Sequence, residues 1–400
     1  MKDEKKAPKL RFKGFTDDWE QRKLGDVAKI TAGGDINKED LINKGKYPVI
    51  ANGLNNNGIV GYSNKYKIDA PAVTITGRGT LGVATARFIN FTPIVRLISI
   101  KSDLDPIYLE NVINNTHFVI ESTGVPQLTA PQVKRQTVIL SNCHIEQTKI
   151  GSLFLTLDNA ITLHEEKKHQ LERLKSALLQ KMFADKSGYP DIRFEGFSDE
   201  WEQCKLGDAF SFLKNSTLSR SELNYESGKF KYIHYGDILT KFGDITDTRN
   251  FSVPFVTTPE KVIRLEKYFL QNGDVVIADA AEDSMVGKVT EIQNSAPFPT
   301  VSGLHTIPIR PNKEFAAGFL GHYMNAPFYH DQLFKLMQGV KVLSLSKSAV
   351  IQTKINFPSY CEQRLISRMI NLIDGTITLH DQKLNLLKLV KQSLLQNMFI

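Results

Sequence analysis

RFKGFTDDWEQRKLGD at residues 11–26 returns as RFEGFSDEWEQCKLGD at residues 193–208, and 12 of these 16 positions are identical. A second repeated pair ends each half: DNAITLHEEKKHQLERLKSALLQKMF at 158–183 and DGTITLHDQKLNLLKLVKQSLLQNMF at 374–399. The first pair is offset by 201 − 19 = 182 and the second by 380 − 164 = 216, so the second middle stretch is 216 − 182 = 34 residues longer. A period of about 200 residues is too long for a solenoid, so the pattern indicates a tandem duplication of a whole domain plus a helical arm.

Composition is that of a soluble, modestly basic protein. The 400 residues carry a net charge of +7 and are 41% hydrophobic and 23% charged. This balance permits a polyanionic partner without requiring one. The three cysteines are isolated, which suits a reducing compartment, and the N-terminus lacks the apolar core of a signal peptide. We therefore expect a cytoplasmic protein without a membrane span.

The predicted fold class is α+β. We expect two strand-rich mixed globular domains, separated by two long antiparallel, coiled-coil-like helical arms, in a tandem pseudo-two-fold repeat. The predicted segments are a lead-in (1–19), a first domain (20–142), a central arm (143–183), a linker (184–201), a second domain (202–358) and a C-terminal arm (359–400).

Local patterns predict several elements of the two domains. Strands are expected at 71–76, 93–100, 274–278 and 305–309, and short helices at 106–114 and 314–324. Trp19 and Trp201 occupy matching repeat positions. We interpret both as packing anchors, because one buried Trp secures a domain edge well.

Each arm lacks proline and has apolar residues in steps of seven, which predicts a helix with a seam for a partner helix. The seam residues are Leu157, Ile161, His164, Leu171 and Leu178 in the first arm, and Ile373, Ile377, His380, Leu387 and Leu394 in the second. His164 and His380 could be a pH-sensitive or metal-binding pair, but polar seam residues that fix the register are the preferred interpretation. A helix of about 26 residues would be roughly 39 Å long. If the ligand is DNA, whose helical turn is about 34–36 Å, this length suggests a target with two short half-sites, separated by a spacer that the protein does not contact.

No constellation of catalytic residues or metal ligands stands out. The sequence has no HExxH, GxSxG, P-loop or paired CxxC motif. GRGTLG at 77–82 is a weak nucleotide-binding signal and a better match to a tight turn, and its counterpart in the second half is expected at 279–287. We expect no catalytic residue, no metal ligand and no cofactor bound by this chain.

Two variable domains without chemistry of their own suggest recognition of a long ligand, and the basic balance favours DNA. Base readout uses polar and basic side chains on surface loops. The candidates for DNA contact are Arg78, Thr80, Arg87, Lys134, Arg135, Lys214, Arg220, Lys241, Lys288, Lys341 and Lys347. For any single one of them, a solvated surface side chain is the simpler interpretation.

The combination of features resembles the specificity subunit of type I restriction-modification systems. The resemblance rests on the doubled F-x-G-F-x-x-x-W-E-x-x-K-L-G-D segments, the doubled arms ending in L-L-Q-x-M-F, and the variable domains between them. It implies that each domain is a target recognition domain for one half of an asymmetric bipartite site in double-stranded DNA. It also implies that the arms dock two modification (methyltransferase) subunits. Two restriction (translocase and endonuclease) subunits complete such complexes, and S-adenosylmethionine, ATP and Mg²⁺ are expected on those partners.

Other functions stay open at this stage. The chain could be the specificity subunit of a methylation-only system, or a protein–protein scaffold that binds no DNA. An independent enzyme is the interpretation that the sequence favours least. Salt-sensitive DNA affinity separates the scaffold from a DNA-recognition subunit, because phosphate contacts make affinity fall steeply with salt. An enzyme would instead be active without partners.

Overall fold

The computed structural model describes residues 7–118, 126–184, 187–282 and 285–400. The first six residues of the predicted lead-in lie outside the described residues, as do short stretches of both domains and of the linker. No helix in the described ranges combines the length and the apolar character needed to cross a bilayer.

The chain forms two compact units, and each contains parts that are distant in sequence. The first unit is Met1–Glu166 with Asp381–Ile400, and the second unit is Lys167–His380. Each unit therefore combines one variable domain with segments of both predicted arms.

The first unit contains short strands and helices. Its strands are β1 (Glu20–Lys23), β2 (Ala28–Ala32), β3 (Tyr47–Ile50), β4 (Ile59–Ser63), β5 (Ala72–Ile75), β6 (Ala84–Arg87), β7 (Thr92–Pro93), β8 (Ile98–Ser102) and β9 (Thr137–Leu140), and its helices are α1 (Leu24–Val27), α2 (Pro106–Asn114), α3 (Ala130–Arg135) and the start of α4 (His144–Lys181). The sheets have the orders β2-β8-β5-β6, β4-β3-β7 and β1-β9.

The second unit follows the same plan with additional elements. Its strands are β10 (Glu202–Lys205), β11 (Phe210–Phe212), β12 (Leu223–Asn224), β13 (Lys231–Ile233), β14 (Ile245–Asp247), β15 (Phe255–Val256), β16 (Val275–Ala278), β17 (Ala280–Ala281), β18 (Val289–Gln293), β19 (Thr300–Ser302), β20 (Thr306–Pro311), β21 (Leu343–Ser344) and β22 (Lys354–Phe357). Its helices are the end of α4, α5 (Leu206–Ala209), α6 (Tyr235–Thr240), α7 (Glu260–Ile263), α8 (Phe319–Asn325), α9 (Pro327–Phe334), α10 (Lys347–Ile351) and the start of α11 (Tyr360–Met398), whose end from Asp381 belongs to the first unit. Short 3-10 turns lie at Lys38–Asp40 and Asn55–Gly58 in the first unit, and at Arg220–Glu222 and Glu266–Tyr268 in the second unit.

The two variable domains share one strand order although their sequences differ. The sheet β2-β8-β5-β6 corresponds to β11-β20-β16-β18, to which the second unit adds β14 in parallel. The parallel pair β3–β7 likewise corresponds to the parallel pair β13–β19. The duplication therefore includes the folds of the domains as well as the repeated ends.

The central strands and the helix after them form for local reasons. All four residues of β5 and of β16 are buried, and both strands are rich in β-branched side chains that pack well on a pleated surface. The side chain of Asp105 accepts a hydrogen bond from the Tyr108 amide at the start of α2, and Pro106 occupies the first helical position. Both features are typical of helix N-termini, so α2 begins where the sequence predicts.

The repeated segment at the start of each half closes its own domain. β1 pairs antiparallel with β9, and β10 pairs antiparallel with β22. The strand that begins each domain thus lies beside the strand that ends it, immediately before the long helix.

A buried carboxylate joins the lead-in of the first half to the first turn of α4. The Glu146 side chain is fully buried and receives hydrogen bonds from Arg11 (2.9 Å between Nη2 and Oε2), Trp19 (3.1 Å) and Ser141. Burial opposes ionisation of Glu146, but the hydrogen bonds from Arg11 and Ser141 outweigh it and hold the pKa of this carboxyl below its usual value. In the second half Arg193 makes the same bidentate pair with Glu362, with both contacts at 2.8 Å.

An aromatic residue from the end of one long helix completes the core of each unit. In the first unit the ring of Phe399 lies 6.2 Å from Trp19 and 5.9 Å from Tyr108. In the second unit the ring of Phe183 lies 6.4 Å from Trp201 and 5.4 Å from Tyr323. The M-F that ends each repeat therefore packs on a Trp of the other repeat copy.

Ion pairs between α4 and α11 show the same exchange. Asp158 pairs with Lys391, and Glu165 pairs with Lys388 at 2.6 Å, both in the first unit. Lys175 pairs with Asp374 at 2.8 Å in the second unit. In the first unit the partner number on α11 falls as the number on α4 rises, so the helix segments run antiparallel there.

The seam residues lie on the less exposed faces of these helices. Ile373 is buried, and the other nine predicted seam positions are half-buried: Leu157, Ile161, His164, Leu171, Leu178, Ile377, His380, Leu387 and Leu394. The helices are longer than the 26 residues assumed from the sequence, with 38 residues in α4 and 39 in α11. The helix length expected from the sequence, roughly 39 Å or about one DNA turn, is therefore wrong, because 38 residues extend over roughly 57 Å.

Most of the predicted strands and helices are confirmed. β5, β16, β20 and α2 form where expected, and Trp19 and Trp201 are both buried. The prediction of one strand over 93–100 is wrong. Val95 and Arg96 adopt positive φ values of 33° and 66°, which turn the chain between β7 and β8.

Removing Arg11 should destabilise the first unit, because Glu146 would remain buried and unpaired. We expect Arg11→Ala to lower the free energy of unfolding by about 3–5 kcal/mol. Arg22→Ala is the matched control, since Arg22 and Glu20 form an exposed pair, for which a loss of about 0–1 kcal/mol is expected. Urea unfolding followed by Trp19 fluorescence in a Trp201→Phe background measures both. Equal losses for the two variants would contradict the structural role of the buried pair.

Candidate nucleic-acid interface

Three loops of the first unit meet at one edge of the domain and form a cleft of about 500 Å³. We call it the first loop cleft. Its walls come from the loop after β3 (51–58), the turn between β5 and β6 (77–82) and the turn before β8 (94–97). GRGTLG is thus a turn between adjacent strands, as the sequence indicates.

Asn52 holds the three loops together. Its Oδ1 accepts a hydrogen bond from the Gly77 amide at 2.7 Å, and its Nδ2 donates to the Val95 carbonyl. A Cβ atom at Gly77 would lie 2.3 Å from the Arg96 carbonyl oxygen and 2.8 Å from that of Leu128. The loops therefore pack backbone against backbone, which requires glycine at this position.

The rim of this cleft contains unusual backbone conformations. Asn56 and Asn57 have φ values of 50° and 53°, and Val95 has a φ of 33°. Positive φ is tolerated by Asn but is uncommon for a β-branched residue such as Val. Such conformations persist where the surrounding structure enforces them, and they often occur at binding sites.

The side chains at the first loop cleft are suited to an anionic or acceptor-rich ligand. Arg78 is exposed, and no hydrogen bond of its guanidinium exists within the described part of the chain. Arg96 donates to Gln127 at 2.8 Å. The three loop segments contain amides and guanidinium groups but no carboxylate.

The second unit has a cleft of about 450 Å³ at the corresponding place in its strand order. We call it the second loop cleft. Its lining includes residues that follow β13, residues between β16 and β18, and the residue before β20. These strands correspond to β3, β5, β6 and β8 of the first unit. Its lining is different, with Tyr235, Leu239, Thr240, Ala280, Ala281, Glu282, Met285, His305 and Val342.

Aromatic rings form one wall of the second loop cleft. The ring of His234 stacks on Tyr235 at 4.8 Å, and His305 meets Tyr235 edge-on at 5.4 Å. His305 has a φ of 57° and lies 3.5 Å from Asp279. Burial lowers the pKa of His234 and raises the pKa of Asp279. Sequence reasoning missed these rings, because scattered histidines carry no spacing signal.

Asp237 organises two of the predicted DNA contacts beside this cleft. Arg220 donates to both of its carboxylate oxygens at 2.6 Å, and Lys241 lies at 3.2 Å. Burial by itself would raise the pKa of Asp237, but the hydrogen bonds and charges of Arg220 and Lys241 outweigh it and hold this pKa below its usual value. Lys241 also donates to the Tyr225 hydroxyl at 3.0 Å.

The structure distributes the other candidates between the clefts and surfaces elsewhere. Thr80 lies in the same turn as Arg78, and Lys341 is next to the cleft residue Val342. Lys288 donates to the Leu239 carbonyl at 3.2 Å, and the charge of Lys347 acts on Asp279. These residues surround the two loop clefts.

The remaining predicted DNA contacts already interact with other side chains or lie outside the cleft linings. Arg87 is half-buried in β6 and donates to Thr74 at 3.0 Å. Lys134 and Arg135 are exposed on α3. Lys214 lies 5.3 Å from the ring of Tyr268.

A partly buried polar network in the second unit brings together groups that could ligate a cation. His322 Nδ1 lies 2.9 Å from Asp244, and Asp374 is close to both. The Lys175 ammonium lies between the carboxylates, at 2.9 Å from Asp244 and 2.8 Å from Asp374. Burial opposes its charge, but the two carboxylates outweigh burial and raise the pKa of Lys175. Lysine thus supplies the positive charge that these acids need.

Comparisons with known proteins identify relatives of the chain. The family model of the type I restriction modification DNA specificity domain matches residues 16–173 and 198–389. A candidate type I specificity subunit of Mycoplasma pneumoniae is 31% identical over 139 residues, which cover 33% of this chain and 38% of that protein. A candidate specificity subunit of the type I restriction enzyme MjaX from Methanocaldococcus jannaschii is 21% identical over 207 residues, which cover 50% of this chain and 46% of that protein.

A solved structure has the same fold along nearly the whole chain. The crystal structure of the S subunit of a type I restriction-modification system from M. genitalium aligns with a TM-score of 0.64 at 16% identity. The alignment covers 98% of this chain and 99% of that chain. In contrast, the matches span less than half the length of the two curated relatives.

Asp237 should make the stability of the second unit dependent on acid pH. Its folded pKa lies below the unfolded value of about 3.9, so its contribution is present above that value and is lost as pH falls through the folded pKa. We expect Asp237→Asn to cost about 1.5–3 kcal/mol at pH 7 and to flatten the acid side of the Tm profile. Thermal unfolding between pH 7 and pH 3 measures this, with the exposed Asp199→Asn as control. An unchanged profile for Asp237→Asn would contradict the assignment.

Proposed function

Because the chain belongs to the family of type I restriction modification DNA specificity domains, we propose that it is the DNA-recognition subunit of such a system. Each variable domain reads one half of an asymmetric bipartite site in double-stranded DNA. The observation that carries this proposal is the pair of loop clefts, which lie at corresponding places in one strand order but have different linings.

Two different linings on one scaffold are suited to two different half-sites. Specific side chains read base edges in the grooves, whereas contacts to phosphates fix the register of the protein on DNA. Arg78 and Asn55 are exposed polar readers at the first loop cleft. Tyr235 and Met285 supply apolar surface at the second loop cleft, together with the carboxylate of Glu282.

The chemistry would then reside in partner subunits. Two modification (methyltransferase) subunits would dock on the long helices, and two restriction (translocase and endonuclease) subunits would complete the complex. S-adenosylmethionine, ATP and Mg²⁺ would be bound by those partners. The chain itself then supplies specificity and the docking surface, and it acts in the cytoplasm with the DNA.

Exposed leucines on the helices support a docking role. Leu163 of α4 is 55% exposed and Leu379 of α11 is 60% exposed. The two are repeat equivalents, since 379 − 163 = 216 is the offset between the arms. Large apolar side chains exposed on a helix are typical of protein interaction sites when they cluster, and Leu372 and Leu386 lie one heptad step on either side of Leu379.

DNA binding should depend on salt, and specificity should be modular. Phosphate contacts predict that log affinity falls linearly with log salt, with a slope of about 0.9 per contact.

Exchanging residues 28–136 for those of another family member should change one half-site of the methylated motif, and exchanging residues 210–353 should change the other. Both exchanges retain the β1–β9 and β10–β22 pairs. Methylome sequencing beside the modification subunit measures the motif. Salt-independent affinity, or a change in both halves, would contradict the proposal.

Leu163 and Leu379 should each contact one methyltransferase subunit. We expect Leu379→Asp to remove one modification subunit from the purified complex and Leu163→Asp to remove the other, since a buried charge opposes docking. The double variant should lose both. Asn385→Asp is the control, because it adds a charge to an exposed position elsewhere on α11. Native mass spectrometry counts the subunits. A full complement in the double variant would show that docking uses a different surface.

A further inference from the structure

Resting on the proposed function, we infer that Arg78 reads a guanine in the half-site of the first domain and that Asn52 positions it for this contact. The turn between β5 and β6 would then carry the specificity of the first domain. Two observations support this role: the geometry of the first loop cleft, and the acceptors that already bind the neighbouring guanidinium groups.

Arg78 is the cleft arginine whose donors have no acceptor within the described ranges. Arg96 donates to Gln127 at 2.8 Å, and Arg87 donates to Thr74 at 3.0 Å. Arg78 is exposed at the mouth of the cleft and has glycine on both sides. Its planar fork can therefore present two parallel donors to a ligand.

Guanine is the base whose edge matches this fork. Its O6 and N7 are two acceptors side by side in the major groove, and bidentate Arg contacts to them are the commonest specific contacts to DNA. The three loops contain no carboxylate that would compete for Arg78. A phosphate oxygen could also accept from Arg78, but such a contact would weaken binding to all sequences alike.

Asn52 acts through Arg78 and does not contact DNA itself. Both ends of its amide are engaged, since Oδ1 accepts from the Gly77 amide and Nδ2 donates to the Val95 carbonyl. Gly77 immediately precedes Arg78, so the first of these bonds fixes the backbone from which the guanidinium extends. The Leu128 amide holds the other side of Gly77 by donating to its carbonyl at 3.0 Å.

The corresponding turn of the second domain has no arginine. Residues 279–287 read DAAEDSMVG, and this turn contributes Glu282 and Met285 to the second loop cleft. A guanine contact at this place in the fold is therefore a property of the first domain. Changes at Arg78 should leave the half-site of the second domain intact.

The experiment measures methylation by the complex with its modification subunit, at sites that vary one base pair at a time. The wild-type motif comes from methylome sequencing, and exchange of residues 28–136 identifies the half read by the first domain. We expect Arg78→Gln to reduce discrimination for one G·C pair in that half by roughly 5- to 150-fold, the fold-change that corresponds to 1–3 kcal/mol. The other half and all other positions should be unchanged. Arg22→Gln removes the same charge from an exposed pair on β1 and should leave the motif as it is.

Asn52→Ala tests the positioning role, because it removes the acceptor for the Gly77 amide and the donor to Val95 and adds no carboxylate near Arg78. We expect relaxed discrimination at the same G·C pair, with Tm within a few degrees of the wild type. In the double variant with Arg78→Gln, the two effects should be non-additive at that pair, as expected for residues that act as one unit. Additive effects, or relaxation spread over the whole half-site, would reduce Asn52 to a general structural role and overturn this part.

Further outcomes overturn the assignment of Arg78. One is a first-domain half-site without any G·C pair, and another is an unchanged motif for Arg78→Gln. Equal weakening on all sequences would identify a phosphate contact instead. All three presuppose that the wild-type chain directs methylation to a bipartite motif. Without such a motif the proposed function itself fails, so the two failures are distinguishable.

Discussion

The buried pairs Arg11–Glu146 and Arg193–Glu362 are the constraint on which the rest of the structure depends. A carboxylate with a fully buried side chain is tolerated only when charge and hydrogen bonds compensate its lost hydration. Each glutamate lies in the first turn of a long helix, and the arginines lie in the repeated segments that precede β1 and β10. The pair thus fixes where the helix begins relative to the first strand of the domain.

The aromatic clusters and the ion pairs between helices follow from that arrangement. In the same repeated segments, Trp19 and Trp201 are buried in the cores, where Phe399 and Phe183 pack against them. Each of these phenylalanines belongs to the other repeat copy. The sequence repeat therefore describes the ancestry of the chain, whereas each compact unit is assembled from both copies.

Sequence patterns were sufficient to predict the regular elements and insufficient to predict the loop clefts. Alternating β-branched residues predicted β5 and β16, and the heptads predicted the helix faces, because both signals are local and periodic. The turn at Val95 and Arg96 could not be predicted in this way, since its residues suit a strand and the turn is held by contacts with distant residues, among them Asn52 and Gly34. The same limit explains Arg87, which resembled a surface reader but lies half-buried beside Thr74.

The ion pairs between α4 and α11 could not be predicted from the sequence for a different reason. Asp158 and Asp374 are repeat equivalents, as are Lys175 and Lys391, so each aspartate has two lysines of equal standing in the sequence. The structure pairs Asp158 with Lys391 and Lys175 with Asp374. A repeat shows which residues are equivalent, but only the fold shows which copy each one meets.

The antiparallel pairs β1–β9 and β10–β22 have a consequence for how such chains diversify. Because the two ends of each domain lie side by side, the intervening chain can lengthen without moving either end. The additional residues of the second half, with β14 and the β17–β21 pair among its added elements, leave its closing strands in the same arrangement as those of the shorter first half. Genetic exchange within a domain would therefore replace its loop cleft as one cassette and leave the paired strands that close the domain unchanged.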